Sequence, residues 1–107
     1  MSYARPPDHV VARNRAAIHA FLVRVNAVGA HFPDGRLTSW YRDTWTNRSV
    51  GGASGSQHLT ATAVDVVVPR SRVAALLLLA RRAGLTAIDE GDHVHLQLFP
   101  AGVRRLA

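Results

Sequence analysis

From His93 to Leu98 the chain alternates without a break, His93, His95 and Gln97 taking turns with Val94, Leu96 and Leu98. Successive side chains of a β-strand point to opposite faces, so the segment reads as a strand. Its three apolar groups lie on a core, and both imidazoles and the amide lie on the other face. Taken alone, two imidazoles on one strand face are an ordinary polar surface. A second stretch changes their meaning. Asp65 interrupts the β-branched run Val64, Val66, Val67, Val68, where a carboxylate is poorly solvated unless it is paired or bound to a cation.

The rest of the chain supplies a frame for these strands. Pro6-Pro7-Asp8 opens a helix with Asp8 as N-cap, and Val11, Ile18, Phe21, Leu22, Val25 and Val28 recur at helical spacing, giving a helix from about 9 to 29 that ends near Gly29. His9 and His19 are expected to face solvent, and His31, ahead of the loop Phe32-Pro33-Asp34-Gly35, has a structural place. Leu37 to Arg42 suits a strand. Asp43 to Gly55 is polar and glycine-rich, and a loop of that length in so small a chain is usually functional. Thr62 to Val68 is a strand ending at Pro69. Ser71 caps a helix whose Val73, Leu76, Leu77, Ala80 and Ala83 face the core and which Gly84 closes. Leu85 to Ile88 is a strand, Asp89-Glu90-Gly91 a tight turn, and His93 to Phe99 the returning strand. The pattern is α+β: two main helices against a small, largely antiparallel sheet, in a single domain spanning residues 1–107.

Two polar strings then combine into one metal set. The first runs Ser56-Gln57-His58-Leu59-Thr60-Ala61-Thr62-Ala63-Val64-Asp65, the second Asp92-His93-Val94-His95. Two imidazoles, His58 and His95, and the Asp65 carboxylate suit Zn2+, whereas calcium or magnesium prefers more oxygen ligands. Three ligands leave a tetrahedral position for water, and Asp92, three residues before His95, is a base for its proton. His58 and Asp65 are seven residues apart, an odd separation that sets them on opposite faces of one continuous strand. Convergence therefore requires a bend between them, which the loop-like start at Ser56 permits.

Composition removes other chemistries. The 107 residues hold no cysteine, so disulfides, thiolate nucleophiles and Cys-ligated zinc are excluded. The net charge of +6 is carried by dispersed arginines, with only Arg81-Arg82 and Arg104-Arg105 adjacent. This favours an anionic cell wall over nucleic acid as a partner. The start, Met-Ser-Tyr-Ala-Arg-Pro-Pro-Asp, lacks the apolar stretch of a signal peptide, and the run Val73 to Ala80 is too short to cross a bilayer. A soluble, monomeric protein with no membrane span is expected.

The first string resembles the S-x-H-x-x-G-x-A-x-D signature of zinc D-Ala-D-Ala carboxypeptidases and L-Ala-D-Glu endopeptidases, bacterial and bacteriophage cell-wall enzymes related to the zinc domain of hedgehog proteins. Ser56, His58, Ala63 and Asp65 match as they stand, and Asp92-His93-Val94-His95 resembles the second signature. The likeness spans about Leu37 to Leu98. It implies His58, Asp65 and His95 as zinc ligands and Asp92 as general base. It also implies His93 beside the zinc, binding or polarising substrate, Arg42 contacting a substrate carbonyl or carboxylate, and Ser56 donating a substrate hydrogen bond. The implied activity is hydrolysis of peptidoglycan stem peptides, by a phage lysin, a virion component or a domain of a larger protein. The competing reading is a zinc-bearing binding or structural module without turnover, in which His93 closes the site as a fourth ligand. Where the signature has glycine this chain has Ala61, whose methyl group crowds the turn if the backbone there takes a positive φ.

Overall fold

The computed structural model describes residues 5–52 and 56–98. The elements are α1 (Asp8–Gly29), β1 (Arg36–Ser39), α2 (Thr44–Ser49), β2 (Ala63–Val67), α3 (Val73–Arg82), β3 (Thr86–Asp89) and β4 (Val94–Gln97), with single 3-10 turns at Gln57–Thr60 and Arg70–Arg72. The strands form one four-stranded antiparallel sheet in the order β1-β2-β4-β3, so the fold is α+β as expected. The strand latest in the chain thus lies inside the sheet.

Period-two alternation sorts β4 as anticipated. Val94, Leu96 and Leu98 are buried and join Val64, Phe21, Val28, Leu76 and Ala80 in the main core between the sheet and helices α1 and α3. The face of α3 is the expected one, with Val73, Leu76 and Ala80 buried and Leu77 and Ala83 packed at the margin. Gly84 closes α3 with φ of 85°, a conformation that glycine adopts without cost.

Four local expectations are corrected. In α1 it is Val10, not Val11, that is buried, because Asn14 leaves helical geometry (φ −119°, ψ 21°) and kinks the helix. Its side-chain Nδ2 donates to the Val10 carbonyl at 3.0 Å, a local bond that competes with the helix ladder and turns the first turns relative to the rest. Pro7, not Asp8, holds the N-cap position, and Asp8 lies in the first turn, where its charge complements the helix end. The stretch after Asp43 is not loop throughout: Asp43 Oδ1 accepts from the Thr46 N–H at 2.7 Å and starts α2. Ser71 makes no capping bond, since α3 grows out of the 3-10 turn Arg70–Arg72. His9, His19 and His31 are exposed. The expected strand end at Phe99, the Ser54-Gly55 part of the loop and the Arg104-Arg105 pair lie outside the described residues.

Candidate metal centre

Strand pairing brings the first two candidate ligands together. In the β2–β4 register Asp65 lies directly opposite His95. The third arrives by the bend that the odd spacing demanded. Ser56 caps the turn Gln57–Thr60, its Oγ accepting from the His58 N–H at 3.1 Å, and Ala61 then takes the left-handed conformation (φ 61°, ψ 25°) before β2 begins. The His58 ring is thereby folded back over β2.

All three side chains meet at one oxygen. Asp65 Oδ1 lies 3.2 Å from His58 Nε2 and 3.1 Å from His95 Nδ1, and the three donor atoms are within 4.8 Å of one another. Ligand atoms of a tetrahedral zinc with bonds of about 2.0–2.2 Å stand roughly 3.3–3.6 Å apart, so little movement is needed to seat an ion. The far side of each ring is anchored. His58 Nδ1 donates to the Trp40 carbonyl at 2.5 Å, and His95 Nε2 donates to Gln97 Oε1 at 2.6 Å. Each anchor fixes a tautomer whose other nitrogen holds a lone pair for a cation. The donor set, two neutral imidazoles and one carboxylate oxygen, fits zinc.

Asp65 is held from behind. Arg42 Nη2 binds its Oδ2 at 2.7 Å, while Arg42 Nε donates to Ser39 Oγ at 3.2 Å and Nη1 to Asn47 Oδ1 at 3.4 Å. Burial pushes the Asp65 carboxyl up, but hydrogen bonds from His58 and His95 and the charges around it outweigh that and hold it well below the usual carboxylate range. Burial likewise pulls His95 down, and its bonds to Asp65 and Gln97 raise it overall. Without an ion, His95 Nδ1, raised in pKa at 3.1 Å from the carboxylate oxygen, favours a proton between them, and a cation takes the place of that proton.

The remaining predicted residues line the mouth. His93 Nε2 lies 3.7 Å from Asp65 Oδ1 and 3.2 Å from Glu90 Oε1, while its Nδ1 meets Asp92 Oδ1 at 2.6 Å. His93 groups with Asp65 and Glu90, whereas His58, Asp65 and His95 form a set of their own, Asp65 being shared by both. Burial lowers the His93 imidazole, and its bond to Asp92 and the charge of Asp65 raise it overall. The Asp92 side chain is 90% exposed and touches the site through His93. Ser56 serves as the turn cap, and Arg42 faces Asp65.

Three residues near the site had gone unassigned. Gln97 was readable as a partner, since it follows His95 by two positions on the same strand face. Asn47 and Glu90 carried no distinctive signal, because only the folded chain brings them to Arg42 and His93.

A pair of imidazoles and a carboxylate, anchored from behind, offers the three protein ligands that a hydrolytic zinc centre uses. The chain belongs to the peptidase M15 family, whose sequence profile matches residues 8–97, and this sets it among zinc-dependent peptidases. Comparison with curated proteins gives no match. Among the described residues no helix is long and apolar enough to cross a membrane.

Proposed function

We propose that the protein hydrolyses amide bonds of peptidoglycan stem peptides, with zinc held by His58, Asp65 and His95. The observation that carries the proposal is the convergence of those three donor atoms within 4.8 Å, in a chain of the M15 family. Bound zinc supplies a Lewis acid that polarises the scissile carbonyl and acidifies water.

The chain's own groups do the rest. Asp92, open to solvent, accepts the proton of the attacking water and returns it to the leaving amine. His93, steadied at Nδ1 by Asp92, binds the substrate amide through Nε2, exchanging its contact with the half-exposed Glu90 for the substrate. The buried wall of His58 and Asp65 keeps bulk water to the open side. The dispersed positive charge favours approach to an anionic wall polymer.

The deciding experiment is digestion of purified peptidoglycan by the zinc-loaded protein, with the new termini identified by mass spectrometry. Cleavage within stem peptides is expected, and the bond cut distinguishes carboxypeptidase from endopeptidase action. Intact stem peptides after exhaustive incubation of metal-loaded protein would remove this substrate class.

A further inference from the structure

Residues 40–42 grip two of the three converging ligands. The Trp40 carbonyl takes the His58 Nδ1 proton, the Arg42 N–H donates to the His58 carbonyl at 3.0 Å, and the Arg42 guanidinium holds Asp65. Each nitrogen of that guanidinium has an acceptor within the protein: Asp65 Oδ2, Ser39 Oγ and Asn47 Oδ1. The pair is largely shielded, with side-chain exposure of 16% for Arg42 and 7% for Asp65. Asn47 is itself held in place. The Gly52 N–H donates to its carbonyl at 2.8 Å, and a Cβ at Gly52 would come within 2.1 Å of Asn47 Oδ1. The segment after α2 thus leaves room only for glycine where Asn47 supports Arg42.

We infer that Arg42 is a positioning residue of the metal centre, which occupies Asp65 Oδ2 so that Oδ1 alone is offered to the ion. A free carboxylate turns about its last bond and can bind a cation through both oxygens. A carboxylate with one oxygen in a charge-assisted bond to a guanidinium, itself pinned by Ser39 and Asn47, is biased to bind through the other. Arg42 therefore sets both the affinity of the site and its coordination number, keeping the remaining position for solvent. The inference rests on the metal reading of His58, Asp65 and His95, and differs from a direct contact between Arg42 and substrate.

The test is zinc affinity by chelator competition on the full chain, with the visible spectrum of the cobalt-substituted protein as a second readout. Arg42→Gln should weaken zinc by about 10–100-fold, the usual effect of losing an outer-shell partner. Its cobalt spectrum should move from the intense bands of four-coordination towards the weaker bands of higher coordination. Arg42→Lys, which keeps the charge and loses the planar group that Ser39 and Asn47 hold, should recover part of the affinity but not the spectrum. Ser39→Ala, a milder change that keeps the guanidinium, should weaken zinc a few-fold and carries the test if Arg42→Gln does not fold. Wild-type affinity and spectrum in folded Arg42→Gln, or wild-type affinity in Ser39→Ala should the former not fold, would overturn the inference and leave the metal reading standing. Failure of the wild-type chain to bind zinc would remove both.

Discussion

The back wall of the site and its mouth are built on different terms. At the back, the His58 side chain is 1% exposed and that of Asp65 7%, and each is tied to strand register, a capped turn or a guanidinium. At the mouth, Glu90 and Asp92 are 46% and 90% exposed and ride on the turn between β3 and β4, whose backbone is held by bonds from the Glu90 N–H to the His93 carbonyl, from the Gly91 N–H to Asp89 Oδ1 and from Arg70 Nη1 to the Gly91 carbonyl, while these two side chains stay open to solvent. On the proposed mechanism the difference separates two tasks. Gripping an ion demands fixed geometry, whereas moving a proton tolerates a side chain that adjusts to substrate.

That contrast breaks first at Asp65. Asp65→Ala removes a ligand and leaves the Arg42 charge shielded without a counter-ion, so we expect zinc binding to vanish and the metal-free fold to lose about 3 kcal/mol. Chemical denaturation with chelator present measures the second effect, and an unchanged midpoint would show that the back wall is not preorganised. Asp92→Asn probes the mouth. Turnover should fall by about 10²–10⁴-fold while zinc content and unfolding midpoint stay at wild-type values. Loss of the metal in that variant would erase the distinction between the two regions.

Acidity sharpens the comparison with a smaller effect. His95 must release its proton before Nδ1 accepts a cation, and its pKa is raised because bonds to Asp65 and Gln97 outweigh burial. Zinc affinity should therefore drop by about tenfold per pH unit for each displaced proton as pH falls through that raised value, above about 6.5. Stability of the chelated protein responds differently. The raised His95 contributes fully below about 6.5 and its contribution fades as pH rises through the folded value. The depressed Asp65 contributes above about pH 4 and its contribution fades in stronger acid. Calorimetric titrations between about pH 6 and 8 should show the affinity slope, and a flat profile would mean that no proton leaves on binding.

The smallest effect is expected at Ala61. A left-handed alanine costs about 1–2 kcal/mol, but its buried methyl packs with Val10 and Ile18, worth about 0.8 kcal/mol, and glycine adds about 0.5–1 kcal/mol of chain entropy. Ala61→Gly should thus shift stability by less than about 1 kcal/mol, within reach of a denaturant titration. A shift of several kcal/mol would show that this turn is strained beyond its backbone angle.

Much of this was legible before folding. The alternation in β4, the helical stripe of α3 and the break at Gly84 are local signals set by side-chain periodicity and backbone freedom. The odd spacing of His58 and Asp65 demanded a bend, and Ala61 supplies part of it at positive φ. Other features depend on distant pairing. Nothing in one sequence sets β2 against β4 in the register that faces Asp65 to His95, nor turns Arg42 towards Asp65. The short α2 helix is hidden by its polar composition and the glycines that follow it, Gly51 and Gly52, and Val11 is displaced because a single Asn14 amide interrupts the period.

The seat of β4 between β2 and β3 bears on synthesis. Until residues 94–97 leave the ribosome, the valine-rich β2 has an open edge on one side and His58 and Asp65 have no third companion. A nascent chain therefore has only two of the three converging donors, and its open β2 edge is most prone to stick to its neighbours just before the sheet closes.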